Sequence, residues 1–294
     1  MQHAQKPHAP PTQQPVQSPR NLQDALSVLL EAGKLELVPL PHIAQQVLST
    51  AGSDATSGTE LADVVRRDQS LAASVLRMAN SAALGGRVKI VSLEQAVTRL
   101  GMQRILETAV AVSLRAQTLG VTRFEAELQL FWRHAFASGL YAKEIAQVLR
   151  ENPETNFLCG LLHQIGKPLA LRAIAKLLST GKLRASDQEI ADAVAKFHTR
   201  CGVVAAERWD LPRTMQEVIA CWHDFEKATT FQQTAMITCL ASQCAGLALQ
   251  LDAQSEATLR EHPVCRALNL TEENLARFLG ARERILEIVA AATP

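Results

Sequence analysis

The sequence predicts an all-α fold, and three observations carry that prediction. Apolar residues recur at three- and four-residue spacing along most of the chain, the period of one helix face. Helix-start signatures precede several of these runs: Ser92 with Gln95, and Ser186 with Glu189, have capping-box spacing. Strand-like alternation is confined to Val88 and Ile90, with Lys89 between them, too short to build a sheet.

The first helix is expected at Asn21, a side chain suited to accept a bond from the orphan N–H groups of a helix start. It carries Leu22, Leu26, Leu29 and Leu30, and Gly33 ends it. Leu37-Val38-Pro39-Leu40-Pro41 must be extended before each proline, and Pro41 then suits the first turn of a helix with Ile43, Val47 and Leu48. Gly52 to Gly58 is a turn-rich break. Thr59 can cap a helix bearing Leu61, Val64 and Val65, and Asp68 can cap one bearing Leu71, Val75 and Met78.

Ser92 opens a short helix that Gly101 stops, and another runs from about Met102 to Arg115. Longer helical patterns cover 125–150, 155–165, 168–180, 186–209 and 212–222. The segment 229–251 is apolar on nearly every side, which predicts a central buried helix. Thr271 starts the last helical region. A HEAT-like array of helix pairs is the alternative architecture.

Composition narrows the function classes. Hydrophobic residues make up 47% and charged residues 20%, the balance of a globular protein, and with only twelve aromatic residues the core must be mainly aliphatic. Thirty basic against twenty-nine acidic side chains leave no global field to draw nucleic acid or an anionic membrane. Arg66, Arg67, Arg282 and Arg284 are expected on solvated helix faces. The six cysteines show no CxxC pair and fall among apolar residues, so they are expected as reduced core residues. Residues 1–20 are rich in Pro and Gln and have no apolar h-region, so disorder is expected there, with neither signal peptide nor membrane span. A cytoplasmic location is expected.

Four separated segments carry candidate chemistry: Trp132-Arg133-His134, Leu161 to Lys167 with His163 and Gln164, Trp222-His223-Asp224, and Leu240-Ala241-Ser242. A lone helical histidine is more often structural than a ligand. In this order and spacing, however, the segments resemble the HD superfamily, whose metal site takes a His, a His-Asp pair and a later Asp from separate helices. Further stretches are similar to its HDOD branch: Leu37 to Pro41, Val65 to Leu71, Ala79-Asn80-Ser81-Ala82, Ile90 to Val97, Leu100-Gly101, Ala135 to Ala142, Gly160 to Lys167 and Ala206 to Pro212. The resemblance covers about Leu37 to Phe231.

The resemblance implies an HD-like helical bundle with a leading helical subdomain. The expected organisation is a tail over 1–20, a leading subdomain over 21–118, an HD-like subdomain over 122–251, and two or three short helices over 252–294. The HD metal positions map to His134, His163, Gln164 and Ser242, so an amide and a hydroxyl stand where the superfamily has carboxylates. Metal-assisted phosphoester hydrolysis must remove about 8–23 kcal/mol of barrier, and neutral side chains supply no charge to hold and bridge the ions. The resemblance therefore implies a non-catalytic regulatory protein, without cofactor, working through a protein partner or small ligand in signalling that includes cyclic-dinucleotide networks. Neither membrane nor nucleic acid is expected as a partner.

The alternative is a residual metal-dependent phosphohydrolase in which His198 and His223 join His134 and His163 in a His-rich site. His223-Asp224 is expected at a surface helix terminus. Asn80, Ser81, Arg87 and Lys167 are candidate partner- or ligand-binding residues. For Lys167 the simpler expectation is a cation meeting the dipole at a helix C-terminus.

Overall fold

The computed structural model describes residues 21–37, 39–45, 69–84, 88–118, 121–251 and 255–292. The expected tail, the break at Gly52 to Gly58, the helix from Thr59, the cap at Asp68, and Arg66, Arg67 and Arg87 lie outside these residues. Among the described residues every regular element is helical. The leading part holds α1 (Leu22–Glu31), α2 (Gln69–Ala79), α3 (Leu93–Leu100) and α4 (Met102–Thr118). The larger part holds α5 (Glu125–Leu149), α6 (Pro153–Leu162), α7 (Gly166–Ser179), α8 (Asp187–Arg208), α9 (Arg213–Cys221) and α10 (Gln232–Leu249).

Local chemistry sets the helix starts as expected. Asn21 Oδ1 accepts from Asp24 N at 2.8 Å, and Ser186 and Glu189 form a full capping box. Ser92 accepts from Gln95 N, but the Gln95 side chain accepts from Val91 N rather than closing the box. Gly101 takes φ 77°, a conformation that costs glycine little. Val88 and Ile90 form no strand. Instead the Asn80 side chain mimics a strand neighbour: its Nδ2 donates to Ile90 O at 2.8 Å and its Oδ1 accepts from Ile90 N at 2.7 Å.

The described residues of the tail form four helices, against the expected two or three: α11 (Glu256–Glu261), α12 (Pro263–Ala267), α13 (Glu272–Gly280) and α14 (Arg282–Ala292). The division comes from Pro263, which holds His262 extended and so splits α11 from α12. Helix α14 packs back on α2 and α5. Arg282 and Arg284, expected on a solvated face, are half-buried: Arg282 donates to Ala248 O at 3.2 Å and Arg284 pairs with Glu144 at 2.9 Å. Packing against α5 and α10 overrides the polar pattern.

Two apolar clusters divide the interior. The larger joins α2, α4, α5, α6, α9, α10 and the C-terminal helices, while the smaller joins α1 to α7 and α8. Helix α10 is buried on nearly every side, as its uniform apolar composition predicts. All six cysteines are free thiols. Five are buried, and burial pushes the Cys159 thiol up to about 12, which keeps it protonated and unreactive.

Two glycines permit the helix contacts that build the site. A Cβ on Gly160 would lie 2.7 Å from Ser138 O, so α6 rests directly on the backbone of α5. A Cβ on Gly166 would lie 1.7 Å from His198 O, so the start of α7 sits against the backbone of α8. At both crossings glycine exchanges side-chain packing for backbone proximity.

Candidate functional site

His134 lies midway along α5 and His163 caps the C-terminus of α6; both are buried. The α5–α6 contact brings their rings to 5.7 Å between centroids. Ser242, from α10, stands between them. Its backbone carbonyl lies 3.1 Å from His134 Nε2, and its hydroxyl lies 3.2 Å from His163 Nε2. His163 Nδ1 is 2.6 Å from Gly160 O.

These partners fix the protons, because a carbonyl only accepts. His163 therefore carries its proton on Nδ1 and accepts the Ser242 O–H at Nε2, while His134 donates from Nε2. Burial holds the His163 imidazole well below its ordinary pKa, and nearby His134, Lys167 and His198 act in the same direction. The ring is neutral near pH 7. Trp222 packs edge-on against His163 at 4.7 Å.

The outer histidines are placed differently. His198 Nδ1 turns back to Ala195 O at 2.9 Å and Val194 O at 3.1 Å on its own helix. His223 lies exposed beyond α9, edge-on to Trp222, and Asp224 pairs with Lys227 at 2.6 Å. His223-Asp224 is thus the expected surface helix terminus. Among the described residues, no three His, Cys, Asp or Glu side chains group so as to hold a metal.

Of the other candidates, Asn80 is engaged in the clamp on Ile90, and Ser81 Oγ donates to Met78 O at 2.8 Å. Lys167 faces a cleft of about 570 Å³ beside the histidines, which Phe131, His134, Gln164, Trp222 and Ser242 also line. Its helix position corrects an expectation. Gly166 is the first residue of α7 rather than the end of the preceding helix, so Lys167 adds its charge to the positive end of a helix dipole.

Three side chains have structural roles that the sequence does not assign, although Trp222 stands in one of the candidate segments. Glu217 accepts from the N–H groups of Thr229, Thr230 and Phe231 at 2.6, 2.7 and 3.1 Å, fixing the loop that delivers α10 and hence Ser242. Trp222 closes the wall against His163. The buried Glu107 pairs with Lys143 across α4 and α5. Only Glu107 had a local signal, a carboxylate amid the apolar stripe of its helix.

Residues 37–225 match the HDOD domain family, well over half of the chain. The chain belongs to the HDOD family. Solved structures agree on the fold. An HDOD domain protein from Geobacter sulfurreducens is 21% identical, with TM-score 0.67, covering 91% of this chain and 98% of its own. A protein from Shewanella amazonensis, provisionally described as a metal-dependent phosphohydrolase, is 19% identical with TM-score 0.67, covering 91% and 97%. One from Marinobacter aquaeolei, provisionally described as a signal transduction protein, is 20% identical with TM-score 0.64, covering 92% and 66%. An uncharacterised protein of Treponema pallidum is 22% identical over 223 residues, which are 71% of this chain and 43% of that protein. This HDOD chain therefore spans under half the length of that relative. No helix among its described residues is long and apolar enough to cross a membrane.

Proposed function

We propose that this HDOD protein regulates by binding, to a protein partner or a small ligand, and that its HD-like pocket does not hydrolyse phosphoesters. The observation that carries this reading is Ser242, whose carbonyl and hydroxyl engage the Nε2 atoms of both buried imidazoles. Gln164, the neighbour of His163, is a neutral amide. A divalent cation here would face two imidazoles already committed to hydrogen bonds and no carboxylate to offset its charge, so the donor set does not fit a two-metal centre. The residues instead form a closed polar bridge across α5, α6 and α10.

A regulatory role also accords with the exposed apolar pair Val88 (70%) and Val91 (69%), which offers a contact for a protein partner. Cyclic-dinucleotide signalling is the network in which we place it.

The test compares the native chain with a Gln164→Asp/Ser242→Asp variant, both untagged and offered Mn²⁺ or Ni²⁺. The native protein is expected to retain well under one metal per chain and to leave bis(p-nitrophenyl) phosphate at the background rate. The double variant, with both carboxylates restored, is expected to bind metal more tightly. Hydrolysis by the native protein at enzyme-like rates overturns the proposal.

A further inference from the structure

The wall of the cleft beside His134 includes a polar group that the fold leaves unanswered. Trp222 is 9% exposed, and its buried indole N–H has no partner among the described residues. Gln164, 6% exposed, lines the same cleft. Buried polar groups in native proteins are nearly always paired, so an unpaired one in a cavity wall points to an occupant. The volume, about 570 Å³, is that of a small-molecule site.

The lining selects the chemistry of that occupant. Phe124, Phe131, Leu171, Ile190 and Val194 provide apolar walls. Lys167, half-buried, is the only cation among the described lining residues, and the N-terminal end of the fourteen-residue α7 adds positive partial charge beside it. The carboxylates, Glu127 and Asp187, are exposed and line the outer part. One cation and two acids repel a polyphosphate but tolerate a single negative charge brought to Lys167.

We propose that this cleft binds a small organic monoanion with an apolar body, of the medium-chain carboxylate type. The carboxylate meets Lys167 and accepts from Gln164 and Trp222, and the hydrocarbon lies along the apolar walls. The inference rests on the regulatory reading above and gives that reading its small-molecule input. Because α5, α7 and α10 all border the cleft, occupancy reaches α5 and α10, the two helices joined by the contact of His134 with Ser242.

Calorimetric titration of the full chain with decanoate, decanol and inorganic phosphate tests it, with tryptophan fluorescence as a second readout because Trp222 lines the cleft. Saturable decanoate binding is expected, with decanol about tenfold weaker for want of the charge-assisted bond and phosphate not saturating. Lys167→Met should weaken decanoate about tenfold and leave decanol unchanged. Val194→Trp, which fills one wall, should weaken both, with melting curves verifying that each variant folds. Absence of saturable decanoate binding to the native chain, or decanoate binding no tighter than decanol, overturns the inference. If decanoate fails while the hydrolysis assay also stays at background, this inference falls and the regulatory reading stands. Enzyme-like hydrolysis is the separate result that removes the reading itself.

Discussion

The inner and outer histidine pairs of this protein share a residue type and differ in almost everything that governs chemistry. His134 and His163 are buried, 5.7 Å apart, and joined through Ser242. His198 is bonded back to its own helix, and His223 is exposed at the end of α9. An imidazole becomes a metal ligand or a structural bridge according to what faces its second nitrogen, and proximity in sequence to an acid, as in His223-Asp224, decides nothing. The inner pair is where the fold has committed energy.

The most severe way to break that contrast is to move the helices. Gly166→Ala would drive a methyl into the His198 carbonyl, separating α7 from α8 and disturbing the outer histidine relative to the inner pair. Chemical denaturation should register a loss of about 3 kcal/mol or more. Gly280→Ala meets nothing within 4 Å and serves as the near-neutral control.

Ser242→Ala sharpens the contrast from the inside. It removes the hydroxyl that answers His163 Nε2 and leaves a buried acceptor unpaired, so a loss of about 1–3 kcal/mol is expected in the same denaturation experiment. An unchanged midpoint would mean that the bridge contributes nothing to stability.

Acid tests the inner pair next. The folded pKa of His163 lies below its unfolded value of about 6.5, so below that pH the unfolded chain binds more protons and stability falls as pH is lowered. A group of this kind contributes a slope of at most about 1.4 kcal/mol per pH unit between the two values. His198, also lowered, chiefly by burial, adds in the same direction. Glu107, raised by burial against the pull of Lys143, works oppositely, above the ordinary carboxylate value. Unfolding midpoints between pH 7.5 and 5.5 should therefore drop for the native chain and drop less for His163→Gln. The smallest effect is expected for His223→Ala, an exposed side chain, within about 0.5 kcal/mol at neutral pH.

How much of this was legible in the sequence depends on how local the cause is. Asn21, Ser186 with Glu189, Gly101 and Thr271 mark helix ends through bonds to residues three or four positions away, and the structure has those ends. The burial of α10 was equally readable, because a segment apolar on all sides has only one stable place. His134, His163, Gln164 and Ser242 were named through family resemblance, and their convergence follows that order. Their bonding was not legible, since which atom of Ser242 meets which ring depends on how α10 is set between α5 and α6. The unpaired Trp222 and the Glu217 clamp belong to the same class.

Taken alone, the sequence determined an all-helical chain of the HDOD type, several of its capped helix ends, and neutral side chains at Gln164 and Ser242. These follow from propensity, capping and residue identity, which act over one turn of chain or need no geometry at all. Only the tertiary structure decided that Ser242 bridges both imidazoles, that Lys167 stands at the start of α7, and that a cleft opens beside them. Such features arise where helices distant in sequence meet, and two glycines without side chains set the distance at which they do.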